Sequence, residues 1–298
     1  MMKVLITGAS GMVGTALSAE LKASGHEVVG LTRNRASENA VYWNPEAGEL
    51  DVTQLNGIEA VVHLAGENIA AGRWSDKQKS KIRESRVGGT KLLCETLASM
   101  EQKPQVLVSA SAIGFYGDRG DEELTEDSSV GTGFLPEVCQ EWEAATEPAK
   151  AAGIRVVNLR IGVVLSKDGG ALKAMMFPFM SCLGGIVGNG KQYWSWIALA
   201  DLVGVIAHAL QTDTVSGPVN AVSPNTVTNH EFTKTLGAVI GRPTIFPLPG
   251  FVAKIMLGEM ADGLLLASAR VLPNQLQASG YEFRYPELKV ALAYELGK

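Results

Sequence analysis

The chain has little cysteine, and what it has shows no pattern. Cys94, Cys139 and Cys182 are scattered over 298 residues. An odd, widely spaced set excludes a disulfide framework and a thiolate metal site, and it fits a reducing, cytoplasmic setting. No basic tract occurs and the formal net charge is −5, which argues against a nucleic-acid partner or a membrane surface held by charge. The most apolar late stretch, Phe251 to Ala269, is interrupted by Lys254, Glu259 and Asp262, so it reads as packed helix and not as a membrane span. No charged-then-apolar leader precedes the first strand at Lys3. Repeats, low-complexity tracts and exposed linkers are also absent. What remains, 46% hydrophobic and 19% charged, is an ordinary globular composition with enough chain for a core that needs no cross-links.

Strand-like and helix-like segments alternate through the first half. Lys3–Thr7 is a short branched apolar run, after which Val13, Leu17 and Leu21 recur every four residues until Gly25. Further strands are expected at Glu27–Thr32, Ala60–His63, Gln105–Ser109 and Ile154–Arg160, with helices over Gln78–Met100 and Pro136–Ala152. Such alternation implies parallel crossovers, hence an α/β fold: a Rossmann-type doubly wound parallel sheet with a smaller, interleaved C-terminal α/β domain. The expected division is residues 1–165 for the dinucleotide-binding domain, with 193–222 returning to it, and 166–192 plus 223–298 for the substrate side. In that second half, Gly169–Gly190 reads as partly irregular, with Met175, Met176, Phe177 and Phe179 as core or pocket lining. Helices are expected at Asp201–Gln211 and Thr228–Ile240, the latter capped by Thr228 or Asn229, and a short strand at Val219–Val222.

The first strand runs into a spaced-glycine turn, Gly8-Ala9-Ser10-Gly11-Met12-Val13-Gly14. The first glycine permits the tight turn, the second lets backbone approach a pyrophosphate, and the third lets helix and strand pack closely. A strand before the turn and an amphipathic helix after it are the context that makes this a dinucleotide cradle. Thr7, Gly8, Ser10, Gly11, Met12, Val13 and Gly14 are therefore the candidate cofactor loop. At the end of the second strand an acid would suit NAD, but the chain reads Thr32-Arg33-Asn34-Arg35. Arg33 and Arg35 point to NADP, with NAD as the alternative, because a guanidinium can grip a 2′-phosphate.

The spaced glycines, His63-Leu64-Ala65-Gly66 and Ser109-Ala110-Ser111…Tyr116-Gly117 together resemble an extended short-chain dehydrogenase/reductase, of the atypical "epimerase family" subgroup related to nucleotide-sugar epimerases. Later markers agree: Leu159-Arg160-Ile161-Gly162, Asp168-Gly169-Gly170, Ser195-Trp196-Ile197 and Val222-Ser223-Pro224, and a tail from about Leu248 similar to the subgroup's small C-terminal domain. The resemblance implies cofactor-proximal roles for His63, Leu64, Ala65, Gly66, Glu67, Arg86, Ser109 and Arg160. It also implies a Ser, a Tyr and a Lys sharing acid–base work beside a hydride carrier. Ser111 falls at the serine position. The Tyr-x-x-x-Lys positions fall on Leu135 and Cys139, and Arg86 stands where relatives often have Asn. Leucine moves no proton, so the usual mechanism cannot carry over intact. The candidates to replace it are Tyr116 as a phenol, Cys139 as a thiol acid and Arg86 as a fixed charge, with Ser111 holding a substrate oxygen. Trp74 is a candidate cleft residue, and Ala198 stands after Trp-Ile where relatives commonly carry His.

Two functions follow. One is an NADP-dependent, epimerase-like or oxidoreductase-like protein acting on a small molecule of unknown identity. The other is a non-catalytic NADP-binding sensor or scaffold. The fold alone does not choose between them, and the oligomeric state is not legible in the sequence.

Overall fold

A computed structural model of the chain describes residues 1–34 and 40–298. The first half contains β1 (Lys3–Thr7), α1 (Met12–Ala23), β2 (Glu27–Thr32), β3 (Ala40–Asn44), β4 (Glu49–Leu50), β5 (Ala60–His63), α2 (Asp76–Ser99), β6 (Val106–Ala112), β7 (Glu123–Leu124), α3 (Phe134–Ala144), α4 (Glu147–Ala151) and β8 (Arg155–Ile161). The second half adds β9 (Val163–Leu165), α5 (Gly170–Met180), β10 (Tyr193–Trp194), β11 (Trp196–Ala198), α6 (Leu199–Gln211), β12 (Gly217–Ala221), β13 (Val227–Thr228), α7 (Asn229–Ile240), α8 (Gly250–Leu257), α9 (Glu259–Ala261), β14 (Arg270–Val271), α10 (Asn274–Ala278) and α11 (Leu288–Leu296).

Eight strands form one sheet in the order β12-β8-β6-β5-β1-β2-β3-β4. All neighbours in it are parallel except the short edge strand β4, which pairs antiparallel with β3. The fold is the Rossmann-type α/β architecture expected from the alternation. Helices cover both faces, so the central strands are apolar on both sides instead of alternating. Val4, Leu5 and Ile6 of β1, for instance, are all fully buried. Val4 and Ile6 join Leu17 of α1 and Leu202 and Ile206 of α6 on one face. Leu5 and Val61 join Leu93 and Leu97 of α2 and Ala149 of α4 on the other. A third core gathers Trp194, Trp196, Phe232, Leu236 and Leu292 beneath the C-terminal helices.

Three segments differ from expectation for identifiable reasons. The helix expected over Pro136–Ala152 is two helices, α3 and α4. Thr146 Oγ1 donates back to Glu143 O (2.6 Å), and Pro148, at the start of α4, brings no N–H. Within Gly169–Gly190, partly irregular as expected with α5 over its first half, the departure is Phe177. There Phe179 is buried and Met175 and Met176 are half-buried against the third core, whereas Phe177 points to solvent. The edge strands β3 and β4 carry too short a pattern to announce themselves. By contrast, α7 starts where expected, because Thr228 and Glu231 form a reciprocal capping box. Among the described residues no helix is long and apolar enough to cross a membrane.

Candidate functional site

Strand order reverses between β1 and β5: the chain runs outward through β2 and β3 on one side and through β6, β8 and β12 on the other. Ligands of open α/β sheets bind in the crevice at the carboxyl ends of the strands beside such a switch point. Here the turn from Gly8 stands on one side and Leu64 to Gly66 on the other, both lying over the buried strand ends Thr7 and His63.

The glycine loop is shaped by its own backbone. Gly8 has φ +69°, a conformation side chains resist, and a Cβ on it would lie 3.0 Å from the Leu64 carbonyl carbon. A Cβ on Gly14 would lie 2.2 Å from Gly8 O, so only glycine lets α1 start this close to the strand end. Gly11 N–H donates to Gly8 O (2.9 Å) and closes the turn. No side chain caps α1 and no acid occupies its first turn, so its leading amides are left to an anion. Residues of this kind fit a dinucleotide pyrophosphate. Met12 leans from the loop toward the turn at Gly169, where a Cβ would meet its Sδ at 2.9 Å, bringing the start of α5 beside the cradle.

At the end of β2, Arg33 is exposed and Asn34 N–H donates to Thr32 Oγ1 (3.1 Å). Arg35 lies outside the described residues.

A buried polar chain holds the crevice floor. Thr7 Oγ1 accepts from the N–H groups of Leu64 and Ala65 (both 3.0 Å), which leaves its own proton for His63 Nδ1 at 2.7 Å. His63 Nε2–H then donates to Thr90 Oγ1 (2.9 Å), which also accepts from the Trp142 indole (2.9 Å). Burial drives the His63 pKa down to about 4, so the ring is neutral at neutral pH. His63 was expected to border the ligand; instead it is wholly interior and fixes the two loops that do. Ser109 is likewise interior, paired in register with His63 across β5 and β6. Arg86 sits under the next stretch of wall. Its Nη1 donates to Glu67 O (3.0 Å) and Ile82 O (3.2 Å), and its guanidinium lies 5.1 Å from the Trp142 ring. Burial lowers its pKa, while Cys139 and Glu67 pull the other way.

The acid–base candidates converge on a buried ion pair that the sequence reading missed. Ser111, at the end of β6, donates to Glu143 Oε1 (2.7 Å). Arg160, on β8, grips the same carboxylate with Nε and Nη2 (2.8 and 2.9 Å). Its Nη1 donates to Tyr116 Oη (2.9 Å) and Glu126 O (3.1 Å), and the guanidinium lies 3.6 Å from the Phe115 ring centre. Burial opposes the Arg160 charge, but its bonds to Glu143 outweigh that and hold its pKa above the ordinary value. Arg160 was expected to contact the cofactor; its guanidinium is instead taken up inside the fold. The signal for Glu143 was present: Leu135, Cys139 and Glu143 are spaced four apart, on one face of α3.

Tyr116 and Cys139 do not reach open space. Tyr116 is fully buried, and its hydroxyl lies 2.7 Å from Asn220 Oδ1 and 3.0 Å from Thr125 O. Burial raises its pKa against the pull of Arg160. Burial also pushes the Cys139 thiol up to about 12, with Glu143 adding and Arg86 opposing. Neither group exchanges protons readily near neutrality. Leu135 and Cys139 lie over Gly114, where a Cβ would be 3.4 Å from Leu135 Cβ and 3.7 Å from Cys139 Sγ. Leu135 then meets an apolar cluster of Trp74 and Phe134 with Leu257, Met260 and Leu264, the last three brought in by the C-terminal segment. Arg73 holds that segment through the carbonyls of Ile255 and Met256, and Lys79 pairs with Glu259. Among the described residues no cluster of His, Cys, Asp and Glu could hold a metal ion.

Comparison with known proteins agrees with this geometry. Residues 4–221 match the model of the NAD dependent epimerase/dehydratase family, and residues 248–295 match a domain of unknown function, DUF1731. The epimerase family protein Mb2239 of Mycobacterium bovis is 42% identical over 292 residues, covering 98% of this chain and 96% of its own. The crystal structure of the human epimerase family protein SDR39U1 (isoform 2) with NADPH superposes with a TM-score of 0.93 at 35% identity, covering 100% of both chains. A nucleoside-diphosphate sugar epimerase from Corynebacterium glutamicum superposes with a TM-score of 0.83 at 41% identity, covering 99% of this chain and 58% of that one.

Proposed function

The chain belongs to the NAD dependent epimerase/dehydratase family, and on that premise we propose that it binds NADP(H) at the β1–α1 turn and acts as an atypical, oxidoreductase-like or epimerase-like protein on a small molecule. The observation that carries the cofactor assignment is the loop itself. Gly8 and Gly14 leave no room for side chains, a Cβ on Gly11 would be tight at 3.2 Å from Gly8 O, and the first turn of α1 offers uncapped amides and carries no acid. NADP is preferred because Arg33 stands at the end of β2 where an NAD site would carry an acid. The NADPH in the human relative's crystal structure supports the same choice.

Bound there, the nicotinamide would supply or accept a hydride. The chain's own part is positional. Ser111, only 3% exposed and with its proton committed to Glu143, would act toward a ligand solely as an acceptor, from a substrate hydroxyl that reaches the end of β6. Arg160 keeps Glu143 in place and Arg86 keeps the Glu67 wall in place. We assign the substrate side to residues 166–192 and 223–298, and the compartment to the cytoplasm, on the support of three free thiols.

A second reading, an NADP(H) sensor or scaffold without turnover, is favoured by one observation: Leu135 and the buried Tyr116 and Cys139 offer no proton carrier of the family's usual kind. NADPH fluorescence separates the two. Sustained oxidation with a carbonyl or sugar-nucleotide panel, lost in Ser111→Ala, supports the enzyme. Saturable binding with no turnover across the panel supports the sensor. Absence of NADPH binding sinks both.

A further inference from the structure

Part of the C-terminal domain lies across the substrate side of the crevice as a strap. It runs from Gly250 to Leu264 through α8, α9 and into a single π-helical turn over Asp262–Leu266. Both ends are tied to the body of the protein. Before the strap, Leu248 N–H donates to Ile186 O (2.8 Å) and Gly188 N–H to Leu248 O (2.9 Å). After it, Leu265 O accepts from Gln192 Nε2 (3.0 Å) and Ser268 N–H donates to Asp118 Oδ1 (3.1 Å). Between those ties, α8 and α9 pack mainly on each other and on the π-helical turn, with no comparable contact to another helix or strand. Helix α8 buries only Ala253. Segments with so few buried contacts belong to the low-stability part of a fold.

The middle of the strap rests on both walls of the crevice. One wall is the loop from β5 into α2, with Arg73, Trp74 and Lys79; the other is the start of α3, with Phe134 and Leu135. Gly263 sits between them: a Cβ there would lie 3.0 Å from the Trp74 ring and 3.3 Å from Leu135 Cδ1. Leu257, Met260 and Leu264 join the same cluster. Leu135, at the family's tyrosine position, therefore lies directly beneath the strap, and Cys139 one helical turn further in.

Two charged contacts fasten it. Arg73 donates through Nε to Met256 O (3.2 Å), and through Nη2 to Met256 O (3.1 Å) and Ile255 O. These carbonyls end α8, where Gly258, at φ +63°, turns the chain away and leaves them without a next helical turn. Lys79 pairs with Glu259 at the start of α9. Arg73 and Glu259 are exposed, so both fastenings can part without opening the interior.

We propose that residues 250–264 are a lid over the substrate side of the crevice, latched by Arg73 and Lys79, whose opening admits the small molecule toward Leu135 and Ser111. In the structure the lid is shut. This role rests on the crevice being the substrate side, and it holds whether or not NADPH is bound. It gives the C-terminal domain a function of its own, the control of access.

Amide exchange of the full chain tests the latch, and alkylation of Cys139 tests what lies beneath it. Cys94 is the internal control. Both thiols are buried and pushed up to about 12 by burial, but Cys94 belongs to the core between α2 and the sheet, away from the strap. Arg73→Ala should raise exchange over residues 250–264 about tenfold or more, the scale of a lost hydrogen bond to a charged group, with β1 and β6 unchanged. Iodoacetamide should then alkylate Cys139 faster by a similar factor and Cys94 at its native rate. Lys79→Glu should act the same way, and adding Glu259→Lys should reverse it. Unchanged exchange over 250–264 in Arg73→Ala overturns the lid. Faster exchange with the ratio of Cys139 to Cys94 labelling at its native value also overturns it, because the segment would then move without uncovering the crevice. Failure of NADPH to bind leaves both readouts in place and defeats only the cofactor assignment.

Discussion

Replacing Thr7 by valine keeps the shape of the crevice floor and removes its central hydroxyl. Thr7 is fully buried, and its Oγ1 serves Leu64 N–H, Ala65 N–H and His63 Nδ1. Leu64 N–H retains a bond to Thr7 O (3.3 Å), so two polar groups, Ala65 N–H and the buried imidazole nitrogen, lose their partner. Each costs about 1–3 kcal/mol when left unsatisfied, giving about 4 kcal/mol as a working value. At about 2–4 °C per kcal/mol for chains somewhat shorter than this one, the melting temperature should fall by on the order of 10 °C. Thr7→Ser keeps the hydroxyl and loses one methyl group, for about 1 kcal/mol. The assay is urea and thermal unfolding of the three proteins followed by circular dichroism. The reasoning is refuted if Thr7→Val is as stable as the native chain, or if serine and valine cost the same, because the hydroxyl would then hold nothing.

Four further outcomes follow from the same geometry. Gly14→Ala puts a methyl 2.2 Å from Gly8 O, and NADPH titration should show binding lost or reduced by orders of magnitude. Arg33→Ala should weaken NADP far more than NAD in the same titration; equal effects would remove the 2′-phosphate assignment. Because His63 is held neutral with its pKa depressed from 6.5 to about 4, its contribution is intact above the unfolded value. It is lost as pH falls from about 6.5 toward 4, by about 3 kcal/mol at 1.36 kcal/mol per unit. The native chain should accordingly lose more stability in urea over that window than His63→Gln, whose own loss comes from other groups. Cys94 and Cys139 are buried, with thiols pushed up to about 12 by burial, so an aromatic disulfide reagent should titrate no more than Cys182 promptly and reach all three thiols only after unfolding.

Much of this molecule is written in short-range pattern. The four-residue recurrence of Val13, Leu17 and Leu21, the apolar runs of β1 and β5, the capping residues of α7 and the glycines of the first turn are local signals with local causes: helix period, two-sided burial and loop sterics. They determined the α/β class and the dinucleotide cradle, and Arg33 at the end of β2 added the NADP preference. The absence of Tyr and Lys from α3 was equally legible, because it is a statement about residue types at counted positions.

What the sequence by itself could not determine is which polar side chains meet. Thr7, His63, Thr90 and Trp142 form one buried chain across two strands and two helices, and Ser111, Glu143, Arg160 and Tyr116 form another. Residues far apart in the chain, such as Tyr116 and Asn220 at 104 positions, become partners only when the sheet order is fixed. Their burial is likewise a tertiary property, and burial is what turns His63, Tyr116, Cys139 and Arg160 from candidates at a ligand into groups that hold the interior. The outward-facing apolar side of α5 and α8 belongs with them. The sequence marks Phe177 and Ile255 as apolar, but only the packing of the helices decides that they are left uncovered.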